Sequence, residues 1–187
     1  MFFEHVNGKS QMKQFQLLLA LIVPILGIAS SVSAIERRDN LLKNPSFESD
    51  DTSWFQLGEG FVIDKTTSHT GKGSLKCVGE SLESIAGAKQ VITFDTPIMH
   101  PIRISGWSRA KDVEVSQDYN IYIDAFHSDD SPLWGQIAHF KASSHDWEYT
   151  EFIFTPAKPL CRIEVHLLFR LAKGTVWFDD VKINLAP

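Results

Sequence analysis

The chain is poor in cysteine, short of positive charge, and lacks the local signatures of most enzyme classes. Its 187 residues hold two cysteines, and 18 Lys and Arg stand against 23 Asp and Glu, a formal charge of −5. Nucleic-acid binding rests on clustered Lys and Arg that neutralise phosphates, so this balance argues against such a partner. It is compatible with a neutral glycan. Seven His residues are scattered, and none stands in a His-x-x-x-His spacing with a third ligand. No Gly-x-Ser-x-Gly elbow, phosphate loop or dinucleotide fingerprint occurs. Past the N-terminal segment there is no amphipathic helical period, internal repeat or low-complexity linker.

Long hydrophobic runs are missing too, with one exception. Met12-Lys13 precedes the apolar run Leu17 to Ala29, and Ser31-Val32-Ser33-Ala34 supplies the small residues that a signal peptidase reads. This is the pattern of a secretory signal peptide over residues 1–34, with Met12 as a second possible start. The run is short for a membrane span and is interrupted by Pro24 and Gly27; a retained anchor is the alternative. No Cys follows it to carry a lipid. Cleavage leaves residues 35–187 as a single secreted or periplasmic domain, without a membrane span and expected to be a monomer. At roughly 150 residues it is long enough for a proper core. Losing Lys9, Lys13 and Glu4 moves its charge to about −6.

Export makes a disulfide chemically possible. Alternation places Cys77 on one face with Leu75, and Cys161 on one face with Ile163 and Val165, so both point inward. A buried disulfide and two buried thiols are both open on this reading. Neither Cys has a neighbouring base or helix start to stabilise a thiolate, which argues against a nucleophile.

Short alternating apolar runs separated by turn residues dominate the rest. Strands are predicted at 61–64, 75–78, 90–94, 102–109, 119–126, 134–140, 147–154, 162–169 and 175–183, with a glycine-bearing loop at 68–74 and a turn at 128–132. No parallel crossover helix is visible. The expectation is an all-β fold, an antiparallel two-sheet β-sandwich of jelly-roll topology, with nine to eleven strands. The two-residue period puts Ile102, Ile104, Ile121, Ile123, Ala125, Ile163, Val165, Leu167 and Phe169 inside. Arg103, Ser105, Trp107 and Arg109 form one outer row, Asn120, Tyr122, Asp124 and Phe126 a second, and Arg162, Glu164, His166 and Arg170 a third. These rows mix large aromatics with hydrogen-bonding groups. Sugars need that mixture, because a ring face stacks on an aromatic while hydroxyls pair with polar side chains. Cross-strand packing of the aromatics is the competing reading.

Two segments carry a resemblance. Asn40-Leu41-Leu42-Lys43-Asn44-Pro45-Ser46-Phe47-Glu48, followed by Trp54, opens the domain, and Val176-Trp177-Phe178-Asp179-Asp180-Val181-Lys182-Ile183 closes it. With the loop Ser68 to Leu75, the strand Ile102 to Ala110 and the segment His145 to Pro156, they resemble, in order and spacing, the CenC-like carbohydrate-binding modules of families four, nine and twenty-two, which have a galactose-binding-like jelly roll. The resemblance covers about residues 39 to 184 and implies non-catalytic binding of a poly- or oligosaccharide. It also implies a structural Ca2+ joining the first strand, the glycine loop and the last strand. By position, Glu48 and Asp179 or Asp180 would supply side-chain oxygens, and carbonyls near Asn44 and Lys72 would complete the shell. Turn caps are the alternative role for these acids. The expected ligand-binding residues are Trp134, Trp107, Tyr122, Asp124, Arg103 and Gln136, with Trp134, beside the turn at Asp129-Asp130, the foremost. Trp54, Trp147 and Trp177 fall on positions that pack in these modules more often than they bind.

Catalysis has little support. A glycoside hydrolase needs two carboxyls flanking the bond, and the Glu-x-Asp-x-x-Glu strand of β-glucanases is absent. Glu148 and Glu151 fall on opposite faces of a regular strand, as do Asp179 and Asp180 unless a bulge or metal turns one of them. A second class remains, a secreted structural or adhesion domain whose aromatics form a protein-binding patch. A third, a hydrolase or lyase, would show two convergent acids or a Tyr–His pair on a cleft floor.

Overall fold

The computed structural model describes residues 40–186. The signal peptide expected over residues 1–34 lies outside them. Eight strands follow in order: β1 (Phe55–Gly58), β2 (Val62–Asp64), β3 (Ser74–Gly79), β4 (Ile85–Ile98), β5 (Ile102–His127), β6 (Pro132–His139), β7 (His145–Phe154) and β8 (Leu160–Leu185). All pair antiparallel.

β5 and β8 organise the molecule. They pair with each other from Ile102 opposite Leu185 to His127 opposite Leu160, as one long ribbon. The register shifts between Lys111 and Glu114, where Asp112 takes a left-handed φ of 55° and Gly174 one of 117°, and again between Val115 and Asp118, opposite Leu171 with a φ of 48°. A side chain at Gly174 would also meet the Asp112 carbonyl oxygen at 2.4 Å, so this turn requires glycine. The turn divides the ribbon into two halves, each the centre of its own sheet. One sheet runs β2-β3-β8-β5-β7 and uses the half near Ile102 and Leu185. The other runs β1-β4-β8-β5-β6 and uses the half near His127 and Leu160. They are called here the first and second sheets.

The expected inner rows form the core between them. Leu75, Ile102, Ile104, Val176 and Phe178 of the first sheet join Ala88, Ile121, Ile123, Ile163, Val165 and Leu167 of the second in a single buried cluster. Phe178 meets Tyr119 and Phe140 across the interior at 5.9 and 5.8 Å. Burying each large apolar side chain contributes about 1.5–3 kcal/mol. Tyr119 keeps its polar tip satisfied on Ser108 Oγ, which donates in turn to the Trp177 carbonyl at 2.7 Å.

Three local expectations are corrected. β1 alternates only over Phe55-Gln56-Leu57, a run too short to stand out, and has no counterpart among the predicted strands. The opening segment 40–48 is not a strand; it lies along β8, with Leu41 N–H donating to the Ile183 carbonyl and Val181 N–H to the Pro45 carbonyl. Cys161 does not point inward. The ladder slips beside it, Leu160 takes the buried position, and Cys161 is half-buried with its thiol against the Phe126 and His127 carbonyls. Cys77 is fully buried as expected, and burial pushes its thiol up, so it stays protonated. Both cysteines are free thiols.

Candidate functional site

The outer face of the second sheet collects the most varied chemistry. Tyr122 of β5 stands opposite His166 of β8, and Asp124 opposite Glu164. The Tyr122 ring meets His166 at 5.7 Å, nearly perpendicular. Both, with Asp124, Arg170, Leu57, Gly58, Ile85 and Leu168, line a groove of about 300 Å³. Arg170 Nε donates to Asp118 Oδ2 at 2.7 Å, which fixes the guanidinium at the groove wall. Glu164 is held by Lys89 at 3.2 Å and Arg162 at 3.6 Å. Farther along the same row, Phe126 is covered by the Arg162 guanidinium at 4.1 Å and flanked by Trp134 at 5.5 Å. Trp134 is 59% exposed, which leaves its ring accessible. Gly135, beside it, donates its N–H to Asp124 Oδ1 at 3.4 Å.

Electrostatics give these groups fixed roles. Burial and the adjacent Asp124 carboxylate push the Tyr122 phenol up to about 12, so it keeps its proton. Burial holds the His166 imidazole below its ordinary value, so it is neutral at pH 7. The groove therefore offers a phenol, a neutral imidazole, a carboxylate and a guanidinium beside an accessible indole. That set matches a polyhydroxylated ligand with an apolar ring face.

The structure brings together only some of the expected ligand residues. Tyr122, Asp124 and Trp134 share this face. Trp107 and Arg103 are on the outer face of the first sheet instead. There Trp107 is stacked under the His69 ring at 4.0 Å and flanked by Tyr149 at 5.4 Å, and Arg103 pairs with Glu151 at 3.6 Å. Gln136 is opposite the inward-facing Ile123, at the core edge of β6, and donates to the carbonyl of Trp134. A bulge between Ile123 and Ala125 moves it off the Tyr122 row. His166, Arg170 and Phe126 were legible as outward residues, but nothing in the sequence set them beside Tyr122. Ile85 and Leu57, on strands of the same sheet, had no signal at all.

The second constellation joins the two ends of the domain. Asp179 is fully buried and accepts three backbone N–H groups: His69 at 2.8 Å, Thr70 at 3.1 Å and Asp180 at 2.7 Å. Asp180 accepts from Ser46 Oγ at 2.8 Å and Thr70 Oγ1 at 2.9 Å, and binds His69 Nδ1 at 2.7 Å. Its left-handed φ of 48° breaks the alternation, so both carboxylates reach the 68–70 loop. Glu48 Oε1 accepts the N–H groups of Lys72 and Gly73 at 2.8 and 3.0 Å. Asn44 is a turn organiser: its side chain bonds Ser49, Asp50 and Thr52, and its carbonyl accepts Trp54 Nε1 at 3.0 Å. The expected neighbours therefore do meet, but Lys72 presents its N–H to Glu48. His69, one of the scattered histidines, sits between Asp180 and Trp107. The oxygen types suit calcium, but these carboxylates already accept N–H or O–H donors, so a cation would have to displace them. Among the described residues no group of three or more His, Cys, Asp or Glu is placed to hold a metal ion.

The whole arrangement superposes on known sandwiches. The xylan-binding CBM22-1 domain of Paenibacillus barcinonensis Xyn10C matches with a TM-score of 0.55 at 16% identity, over 79% of this chain and 94% of that one. A family 16 carbohydrate-binding module matches with a TM-score of 0.55 at 15% identity, over 77% and 99%. The chain has the jelly-roll fold of carbohydrate-binding modules. At these identities the likeness establishes the fold of this jelly roll and nothing finer. No family model matches the sequence. Among curated proteins, it is 26% identical over 153 residues to the tRNA(Glu)-specific nuclease WapA of Bacillus subtilis subsp. natto (strain BEST195), covering 77% of this chain. The chain spans about 6% of the length of the curated relatives it matches.

Proposed function

We propose that this exported jelly roll binds a poly- or oligosaccharide without chemistry, at the outer face of its second sheet. The observation that carries the proposal is the groove where Tyr122, Asp124, His166 and Arg170 converge beside an accessible Trp134. Groove, exposed indole and convergent polar groups are the ordinary ingredients of a small-ligand site; the Tyr122–His166 pair in it also meets the condition stated above for a lyase, and release of shortened oligosaccharides from the retarding polymer would favour that class instead. The similarity to carbohydrate-binding modules supports the ligand class. The WapA relatives are named as tRNA nucleases, but the acidic balance of this chain does not favour a phosphate backbone. The test is affinity electrophoresis of residues 35–187 through gels containing a panel of neutral polysaccharides. Retardation by at least one polymer is expected. No retardation by any, with the protein folded, would favour a protein partner.

Calcium is a separate proposal. An ion at Glu48 and Asp180 would compete with Thr70, His69 and the Lys72 and Gly73 amides. At 100 times its Kd it would add about 2.7 kcal/mol, raising Tm by roughly 5–10 °C in a domain of this size. Melting in calcium and in EDTA measures it. Identical melting temperatures would leave the junction held by hydrogen bonds alone.

A further inference from the structure

The outer face of the second sheet continues past the groove to an aromatic side chain at its far edge. Directly paired residues of neighbouring strands share a face. The registers carry one such row across four strands: Tyr122 of β5 opposite His166 of β8, His166 opposite Lys89 of β4, and Lys89 opposite Phe55 of β1. Phe55 therefore shares the face of Tyr122. Leu57, two residues on and so on the same face, already lines the groove. Phe55 is 65% exposed, and no other ring or cation among the described residues covers it. A second depression, of about 460 Å³, opens beside it, with Val91 and Thr93 in its wall. Those two stand opposite Glu164 and Arg162 and extend the same outer face. A single exposed apolar side chain is ordinary. Phe55 is not scattered: it ends the row that Tyr122 begins, across the sheet from the exposed Trp134 of β6.

We infer that Phe55 is a second stacking platform, and that the ligand is an extended glycan chain lying across the strands from Trp134 to Phe55. The inference rests on the glycan-binding reading of the groove. The strands β6, β5, β8, β4 and β1 give four spacings of about 4.8 Å, or about 19 Å from edge to edge, the span of about four pyranose units in an extended chain. β6 pairs only with β5 and β1 only with β4, so no further strand blocks a longer chain at either edge. Between the two aromatics the face offers the Tyr122 phenol and the Asp124 carboxylate, and then the Lys89–Glu164 pair at 3.2 Å, whose charges cancel. A chain of this length stacks a sugar on each ring while its middle units pair their hydroxyls with these groups. A short ligand reaches one aromatic alone. Joining both contacts in one ligand makes the second intramolecular, so affinity rises with chain length until both are filled.

The test is isothermal titration calorimetry of residues 35–187 with xylo- and cello-oligosaccharides of two to six units. For wild type, affinity within the series that binds is expected to rise about tenfold or more from the trimer to the pentamer and then to level off. Phe55→Ala is expected to lose about tenfold on the hexamer and less than about twofold on the trimer, which flattens the length dependence. Phe55→Trp keeps a stacking ring and is expected to bind the hexamer within about threefold of wild type. Thermal melting checks that each variant is folded, and an exposed side chain such as Phe55 is expected to leave Tm nearly unchanged. Wild-type hexamer affinity in folded Phe55→Ala, or an equal loss on trimer and hexamer, overturns the inference while leaving glycan binding at the groove intact. Failure of wild type to bind any member of either series overturns the inference together with the glycan reading for those sugars.

Discussion

Trp134→Ala and Tyr122→Ala each weaken polysaccharide binding by about 30-fold, and Trp107→Ala changes it less than threefold. This is the largest effect expected on function. An accessible aromatic anchor in a binding site is typically worth 2 kcal/mol or more, and 1.4 kcal/mol is a factor of ten. Trp134 holds its ring open to solvent and is buttressed only at its edge by Phe126. Tyr122 lines the groove and places its phenol beside Asp124. Trp107 is on the other sheet, and His69 lies almost parallel over its ring at 17°. That stacking occupies the surface a sugar would need. Affinity electrophoresis of the three variants against the polymer that retards wild type provides the measurement. Loss of binding in Trp107→Ala, with Trp134→Ala unaffected, would move the site to the first sheet.

The second large effect is on stability. Asp179→Ala leaves the part-buried N–H groups of His69, Thr70 and Asp180 without their acceptor. A fully buried unsatisfied donor costs about 1–3 kcal/mol; three part-buried ones at the low end of that range give an expected loss of about 3 kcal/mol and a fall in Tm of roughly 6–12 °C. The same residue sets a pH dependence. Burial pushes the Asp179 carboxyl up to about 6, against the pull of the three N–H groups. A carboxyl raised on folding favours its protonated form in the native state. Its contribution is therefore present below the unfolded value near 3.8 and lost as pH rises through about 6. Asp180 runs the other way. Burial raises its carboxyl, but the hydrogen bonds from His69, Ser46 and Thr70 outweigh that and hold it low, so its contribution is lost only as pH falls below the ordinary carboxylate range. Thermal melts of wild type and Asp179→Asn between pH 4.5 and 7 isolate the first contribution. Wild type is expected to lose stability over this range relative to the Asn variant. Parallel curves would show that Asp179 is not the group responsible.

The inner rows of the sandwich were legible because alternation is a local property. Ile102, Ile104, Ile121, Ile123, Ile163 and Val165 are all buried where the two-residue period put them. The breaks in β5 and β8 were legible as the gaps at 110–118 and 170–174 between predicted strands, but not that each pair of strands is one continuous strand passing from one sheet to the other. Without that connection the two outer rows of β5 cannot be assigned to different sheets. Trp107 and Tyr122 therefore looked equivalent, though they face opposite sides of the molecule. Gln136 and Cys161 failed for a smaller reason: a single register slip reverses the face of one residue without any composition signal. The meeting of Glu48, the 68–73 loop and Asp180 was legible from the ordered segments. The donors on those acids were not, since backbone N–H groups leave no trace in a sequence.

The most direct test of the groove is an amide chemical-shift map of residues 35–187, titrated with an oligosaccharide of the retarding polymer. The account predicts shifts concentrated at Tyr122, Asp124, Trp134, Gly135, His166 and Arg170. Shifts confined to Arg103, Trp107, Tyr149 and Glu151, with the groove silent, would contradict it.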